Sequence, residues 1–420
     1  MGQASSVSPY SRYGIGDLQD HVGAQGFAMG KTGIALRNDS TTPYFINLKN
    51  PASYYFNRIT TFEAGLLDNQ ITLTTMGQSH KNNNAYFGYF ALAFPVGKYI
   101  GACAGIAPMS SIGYDITSSS PIDSIAPNGQ TFQVDNATTT YIGSGGINNL
   151  FLGLAFTPLP FYKNLSLGAH FSYLFGNITN TQFLEYPTTY NAYDVQVYQS
   201  TQVNSFYWNC GLMWTFGKST GWNATLGGTL GLGQNLKATD VLLSVNYIGG
   251  SIHDTVQNEN SNGTISMPLT WGGGLTLKKG EKWTFTAEYS TQNWSQFTFF
   301  GANGNLSNSN HMGFGIQFIP HKNFDVPHTY FQRVHYRAGF YMDKTYLDLN
   351  NTPINDYCVS AGIGLPIGRT YYMSRASVLN IGVQVGQLGT TANNLLQEKY
   401  VKLLFSFTFD DRWFVKRQFE

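Results

Sequence analysis

The stretch "YVKLLFSFTFDDRWF", Tyr400–Phe414, decides the fold class. Val401, Leu403, Phe405, Phe407 and Phe409 are apolar, and Lys402, Leu404, Ser406, Thr408 and Asp410 between them are mostly polar. A period of two places alternate side chains on opposite faces of a strand, so one face is greasy and the other wet. The pattern recurs upstream in Leu379–Val385, Met312–Phe318, Trp283–Tyr289, Trp222–Leu232 and Phe206–Phe216. A soluble sheet protein also alternates, and it remains the alternative reading. Here the second face is mostly Gly, Ser, Thr, Asn and Gln, with few Lys and Glu, which suits a crowded polar lumen. Trp214, Trp222, Trp283 and Trp413 fall beside short turns or the C-terminus, as an interfacial girdle requires. Closure into a barrel would remove the many strand edges.

Composition agrees. Of 420 residues only 11% are charged and 15% are aromatic, with 46 Gly and a net charge of +1. Such low charge is poor for a water-facing surface, and nothing in it suggests nucleic acid as a partner. No apolar run is long enough for a transmembrane helix. The polar start "MGQASSVSPYSRYG" lacks a signal-peptide core, so a secreted chain would have to be in its mature form behind a start Met. Cys103, Cys210 and Cys358 are odd in number and widely spaced, which argues against a disulfide framework or metal site.

About 14 strands are expected after residue 58, beginning near Ile59, Asn84, Tyr99, Asn148, Leu165, Asn204, Trp222, Thr264, Trp283, Asn310, Arg333, Asp356, Arg375 and Lys399. Their connections alternate between short turns ("PVGKY", "GKSTG", "KKGEK") and long polar stretches, residues 114–147, 177–203 and 235–263, read as external loops. This expects an all-β transmembrane antiparallel barrel over residues 59–420, in a bacterial outer membrane. Both chain ends would then lie on the periplasmic side. Membrane lipid or detergent would be an obligatory partner. Lysines such as Lys98, Lys163, Lys218, Lys278, Lys279 and Lys282 gather in the short turns, as at a headgroup boundary.

Residues 1–58 have no sustained period. They are too long for an ordinary loop and too apolar for a free tail, so a plug inside the barrel is the economical reading. Within them, "GFAMGKTG", Gly26–Gly33, invites comparison with a phosphate-binding loop. That loop needs four residues between its first Gly and Gly-Lys-Thr, after a buried strand; here three intervene and no such strand precedes.

What these residues do resemble is the hatch of the FadL family of outer-membrane transporters of hydrophobic molecules. The resemblance is carried by Gly23, Gly26, Gly30 and Gly33, by "GIAL" from Gly33, and by Asn50, Pro51 and Ala52 just before the barrel. "SPYSRYGIGDL" and the ending "FDDRWFVKRQFE" look like FadL-type relatives from bacteria with type IX secretion, a group that includes PorV-like subunits of secretion and assembly machinery. The resemblance implies a 14-stranded barrel and passage of a small hydrophobic ligand through a plugged lumen with sideways exit. The alternative it implies is a non-transport subunit with protein partners in an outer-membrane complex. It also implies that the terminal aromatics are read by the barrel-assembly machinery. In the family a kink in the third strand opens a side gap. Pro108, with Gly105 and Gly113, is the candidate here, and a bulge at the barrel rim is the alternative.

Arg333, His335 and Arg337 alternate with apolar residues and should face the lumen. They would either bind a carboxylate ligand or fix the plug through Asp17, Asp20, Asp410 or Glu288. His170 and His311 are expected on the lumenal face without a metal-site spacing. No catalytic motif is present, so no enzyme activity and no cofactor are expected.

Overall fold

A computed structural model describes residues 7–19, 22–38, 45–75, 77–125, 131–158, 164–190, 192–217, 221–321, 329–367 and 377–411. Asp20, Lys163, Lys218, Arg375, Trp413 and Phe414 lie outside them. The chain forms a closed antiparallel barrel of 14 strands. In chain order its wall starts with β1 (Thr60–Thr75), β2 (Gln78–Pro95), β3 (Ile100–Ile125), β4 (Thr131–Phe156), β5 (Leu165–Glu185), β6 (Asp194–Gly217) and β7 (Trp222–Gly231). A hairpin outside the wall, β8 (Gln234–Ile248) and β9 (Ser251–Met267), follows. The wall resumes with β10 (Thr270–Lys279), β11 (Trp283–Gln292), β12 (Ser309–Phe318), β13 (His335–Leu349), β14 (Thr352–Ile367), β15 (Ser377–Gly389) and β16 (Gln397–Asp411). Closure is made by β16 on β1, from Asp411 opposite Thr60 to Gln397 opposite Thr74.

The two faces are inverted relative to a water-soluble protein. Leu154, Phe171, Trp214, Trp271, Phe314 and Phe407 stand exposed on the outside. Thr276, Gln317, Ser360, Asn380, Gln384 and Ser406 are buried within. An outward apolar surface is stable only against lipid. Its height fits. Trp222 and Trp283 mark one rim, where Trp283 meets Phe318 at 4.3 Å and Lys279 lies 5.5 Å from the Trp222 ring. Trp271 marks the other rim, beside Tyr289. The eight steps from Trp271 to Lys279 rise about 26 Å along the strand, or roughly 20 Å along the axis at a tilt near 40°.

The stretches read as external loops are largely ladder. β3 and β4 pair as far as Ile125–Thr131, and β5 and β6 as far as Leu184–Val195. The hairpin continues that sheet, with Asp194–Val203 paired to Tyr247–Ala238 of β8. The wall strand expected from Thr264 begins instead at Thr270, and Thr264 belongs to the hairpin. These extensions bury only scattered apolar residues, such as Ile178, Leu236 and Ala238, among many Ser, Thr and Asn, and so conceal their strands from a periodicity argument.

The N-terminal segment runs through the lumen. Its described start lies at the long-hairpin end, where Ser8 Oγ donates to Glu398 Oε1 (2.5 Å) and Tyr10 donates to Leu396 O. Its end, Pro51–Phe56, abuts β4, β5 and β6 on the way to Thr60 at the opposite rim. The described start of the chain and Asp411 therefore stand at opposite ends of the barrel. Between them the segment traverses the lumen before the first strand begins; the chain ends themselves, residues 1–6 and 412–420, lie outside the described residues.

Candidate functional site: the lumenal cavity and the break between β2 and β3

The segment is fixed first by backbone capture. Glu288 of β11, fully buried, accepts the amides of Gly33 (2.7 Å) and Ile34 (2.9 Å) and the Lys49 ammonium (2.6 Å). Asn50 caps the turn at Pro51 by accepting from the Ala52 amide, and its Nδ2 donates to Ile34 O at 2.6 Å. Gly23 caps the short helix Ala24–Phe27, which contains Gly26. Gly30 has φ +67°, and a Cβ there would stand 2.5 Å from the carbonyl oxygens of Phe314 and Phe340. Only glycine lets the segment lie this close to the wall. Lys31 does not serve a phosphate loop: it is ion-paired with Asp343 at 3.2 Å and sits over the Tyr341 ring.

Above this seam lies a cavity of about 370 Å³. Leu18, Met109, Phe151, Tyr207, Trp294 and Tyr346 give it apolar wall, and Lys31, Lys49, Asp343, Glu398 and Lys402 give it charge. A cavity of this size and mixed lining has room for a small amphiphilic or aromatic molecule.

Beside it the wall is incomplete. The β2–β3 ladder runs from Pro95–Gly101 to Phe90–Ile106 and stops. Beyond that point, among the described wall strands, β3 pairs with β4 alone, with a register shift between Pro108 and Ser110. Gly105 is the last ladder glycine below the break, opposite Ala91. The N-terminal segment occupies the vacated edge. Asp17 and Leu18 pair with Ser111 and Ser110, the Gln19 amide donates to Met109 O (2.9 Å), and the Gly113 amide donates to Ser11 Oγ (3.1 Å). The Gln19 side chain also accepts from the Tyr86 hydroxyl of β2 at 3.2 Å and donates to Ser111 Oγ of β3 at 3.0 Å, so it ties both lips together. A second cavity of about 50 Å³ touches Tyr86, Gly88, Ala107 and Pro108 and shares Gln19, Lys31, Leu48 and Lys402 with the large one.

The basic residues singled out on β13 do not meet in either cavity. His335 and Arg337 are buried at the other side of the segment, around a polar space of about 40 Å³ with Gln25 and Glu63. Arg337 donates to Gln317 (2.8 Å) and Asn380 (2.8 Å) and lies 3.2 Å from His335 Nδ1. Gln317 in turn accepts from Gln25 of the segment. Arg333 sits below the strand, at the end of the turn Tyr330–Gln332. Glu288, an expected partner of this group, is instead engaged by Lys49. Arg337→Met is therefore expected to speed proteolysis of the segment in the folded barrel severalfold while leaving ligand affinity unchanged; tryptic digestion beside a ligand titration checks this.

His170 meets the Tyr54 hydroxyl at 2.6 Å. His311 Nδ1 lies 2.5 Å from Asp343. Among the described residues no group of three or more His, Cys, Asp or Glu could hold a metal ion. Sequence reasoning missed Lys31, Lys49, Gln19 and Tyr86. Only the presence of lysines in a segment read as enclosed by the lumen could have flagged the first two.

The whole chain, residues 1–420, matches the family model BamG. The chain belongs to the BamG family. No curated protein matches it. Among solved structures, this BamG-family barrel is similar to a FadL homologue of Pseudomonas aeruginosa at TM-score 0.59 and 12% identity, over 94% of this chain and 99% of that one. It is similar to the Ralstonia pickettii toluene transporter TbuX at 0.57 and 15%, over 93% and 98%. It is similar also to the P. putida toluene transporter TodX at 0.57 and 15%, over 94% and 100%. At such identities the likeness establishes the fold, a FadL-type outer-membrane barrel, and leaves the activity to the site.

Proposed function

We propose that the chain carries small hydrophobic compounds, fatty-acid-like in character, across the bacterial outer membrane. Residues 1–58 act as the plug of a barrel formed by 59–420, and cargo leaves sideways at the break flanked by Gly105, Pro108 and Gly113. The supporting observation is the continuity of lining: four residues are common to the large cavity and the small one that reaches Pro108. The similar barrels add weight, since TbuX and TodX are toluene transporters. The short turns face the periplasm in this reading, as barrels of this class require. Arg333, His335 and Arg337 serve the plug's far side rather than the cargo. The protein is no enzyme in this reading.

The test is uptake of radiolabelled toluene and of a labelled medium-chain fatty acid into proteoliposomes. Leu18→Trp, which fills the cavity beside Met109, is expected to cut uptake about tenfold or more at unchanged barrel content. Equal rates with and without the protein would overturn transport.

A second reading, a non-transport subunit of an outer-membrane secretion or assembly complex, is favoured by a separate observation. β3 to β6 and the hairpin extend far beyond the strand length a bilayer needs. Stable co-purification of other barrel proteins in mild detergent, without uptake, would favour it.

A further inference from the structure

Beyond the membrane, β3 to β6 and the hairpin form one open sheet with two edges. One edge, on β3, is guarded: Asp17 and Leu18 cover its base, and Pro121 interrupts its donors higher up. The other edge is β9. Its inner side pairs with β8 along its length. On its outer side the described residues supply one ladder pair, Ile265 with Phe299, and one bond from the Phe300 amide to Thr264 O. Ser251–Asn262 therefore presents its outward amides and carbonyls to solvent. Residues 251–263, "SIHDTVQNENSNG", contain no Pro, Lys or Arg, so the charges that guard this edge are all carboxylates. Irregularities at His253 and Val256 disturb the ladder near the tip, but Gln257–Asn262 runs in clean register.

The electrostatics of this sheet are one-sided. Residues 107–147, 176–203 and 234–265 hold eight Asp and Glu, among them Asp115, Glu185, Asp254 and Glu259, against one lysine, Lys237. The rest of the chain holds 15 of the 23 acidic and 23 of the 24 basic residues. The near-neutral total thus hides an acidic sheet on a basic barrel. Asp254 and Glu259 lie on the open edge itself, and both are exposed.

We propose that Gln257–Asn262 is a docking edge that takes an extended, basic segment of a partner polypeptide as an added strand. Main-chain bonds supply the affinity, and the acidic sheet selects the sign of the partner. A second copy of this chain is a poor occupant, because it would bring the same carboxylates to the contact. The inference holds whether the barrel transports or serves a complex, so its failure would not decide between those functions.

The full chain in detergent is titrated by fluorescence anisotropy with three short peptides. One alternates lysine and valine, one alternates glutamate and valine, and one is the lysine peptide with every second amide N-methylated. Saturable binding of the lysine peptide is expected, with the other two at least about tenfold weaker at low salt. Asn258→Lys with Asn260→Lys, both exposed and thus neutral to folding, should weaken the lysine peptide by about tenfold. Absent binding, equal binding of the N-methylated peptide, or indifference to the two lysines would each overturn the proposal. A dimer of the chain that the two lysines dissolve would assign the edge to a second copy and overturn it as well.

Discussion

Oxidation of a Leu18→Cys, Ser110→Cys double variant is expected to abolish uptake of hydrophobic cargo, and reduction to restore it. Leu18 and Ser110 are direct partners in the short antiparallel ladder that the N-terminal segment adds to β3. Such partners have Cα atoms about 4.5–5.5 Å apart, within reach of a disulfide. The bond would fasten the segment where it covers the break and where Gln19 links Met109 to Tyr86. If cargo leaves by this edge, the segment must move from it, and the crosslink forbids that. Transport is expected to fall to the level of protein-free vesicles, more than about tenfold, with full recovery in reductant. Unchanged transport in the oxidised protein would show that this edge is not on the route. No transport in either state would favour the subunit reading.

The second large effect concerns Glu288. Its carboxylate holds two backbone amides of the segment and the Lys49 ammonium, with His311 Nε2 at 3.4 Å. Glu288→Gln leaves Lys49 in a closely packed site without its counter-charge. Breaking a buried pair from one side costs about 3–5 kcal/mol, chiefly through the charge left behind. The loss falls on the segment rather than the wall, because the β10–β11 and β11–β12 ladders are backbone bonds that do not use this carboxylate. Amide exchange at Gly33 and Ile34 is expected to quicken by roughly a hundredfold or more, while wall amides keep their protection. Equal acceleration throughout would mean that Glu288 supports the barrel as a whole.

The wall was legible because lipid on one side and a polar lumen on the other impose a strict period of two. Phe405 and Phe407 are exposed and Ser406 and Thr408 buried, as alternation in "FSFTF" requires. Expected starts at Leu165, Trp222 and Trp283 coincide with the strands. The extramembrane sheet was not legible, since its strands are dense in Ser, Thr, Asn and Gln and bury only scattered apolar residues such as Ile178, Leu236 and Ala238, too few to mark a period; the stretch after Asn235 looked like loop and is a hairpin. The lumenal chemistry was legible only in type. Alternation placed His335 and Arg337 inside, but the partners of Arg337, Gln317 and Asn380, come from other strands of the wall.

The sequence by itself determined that this chain is a lipid-facing barrel with an irregular, glycine-punctuated leader, because solvent polarity is written residue by residue along each strand. Tertiary structure alone decided that Glu288 grips Gly33 and Lys49, that Gln19 spans the lips of the broken wall, and that β9 ends the open sheet. Those are contacts between residues tens to hundreds of positions apart, set by the curvature and register of a closed sheet, and no local pattern encodes them.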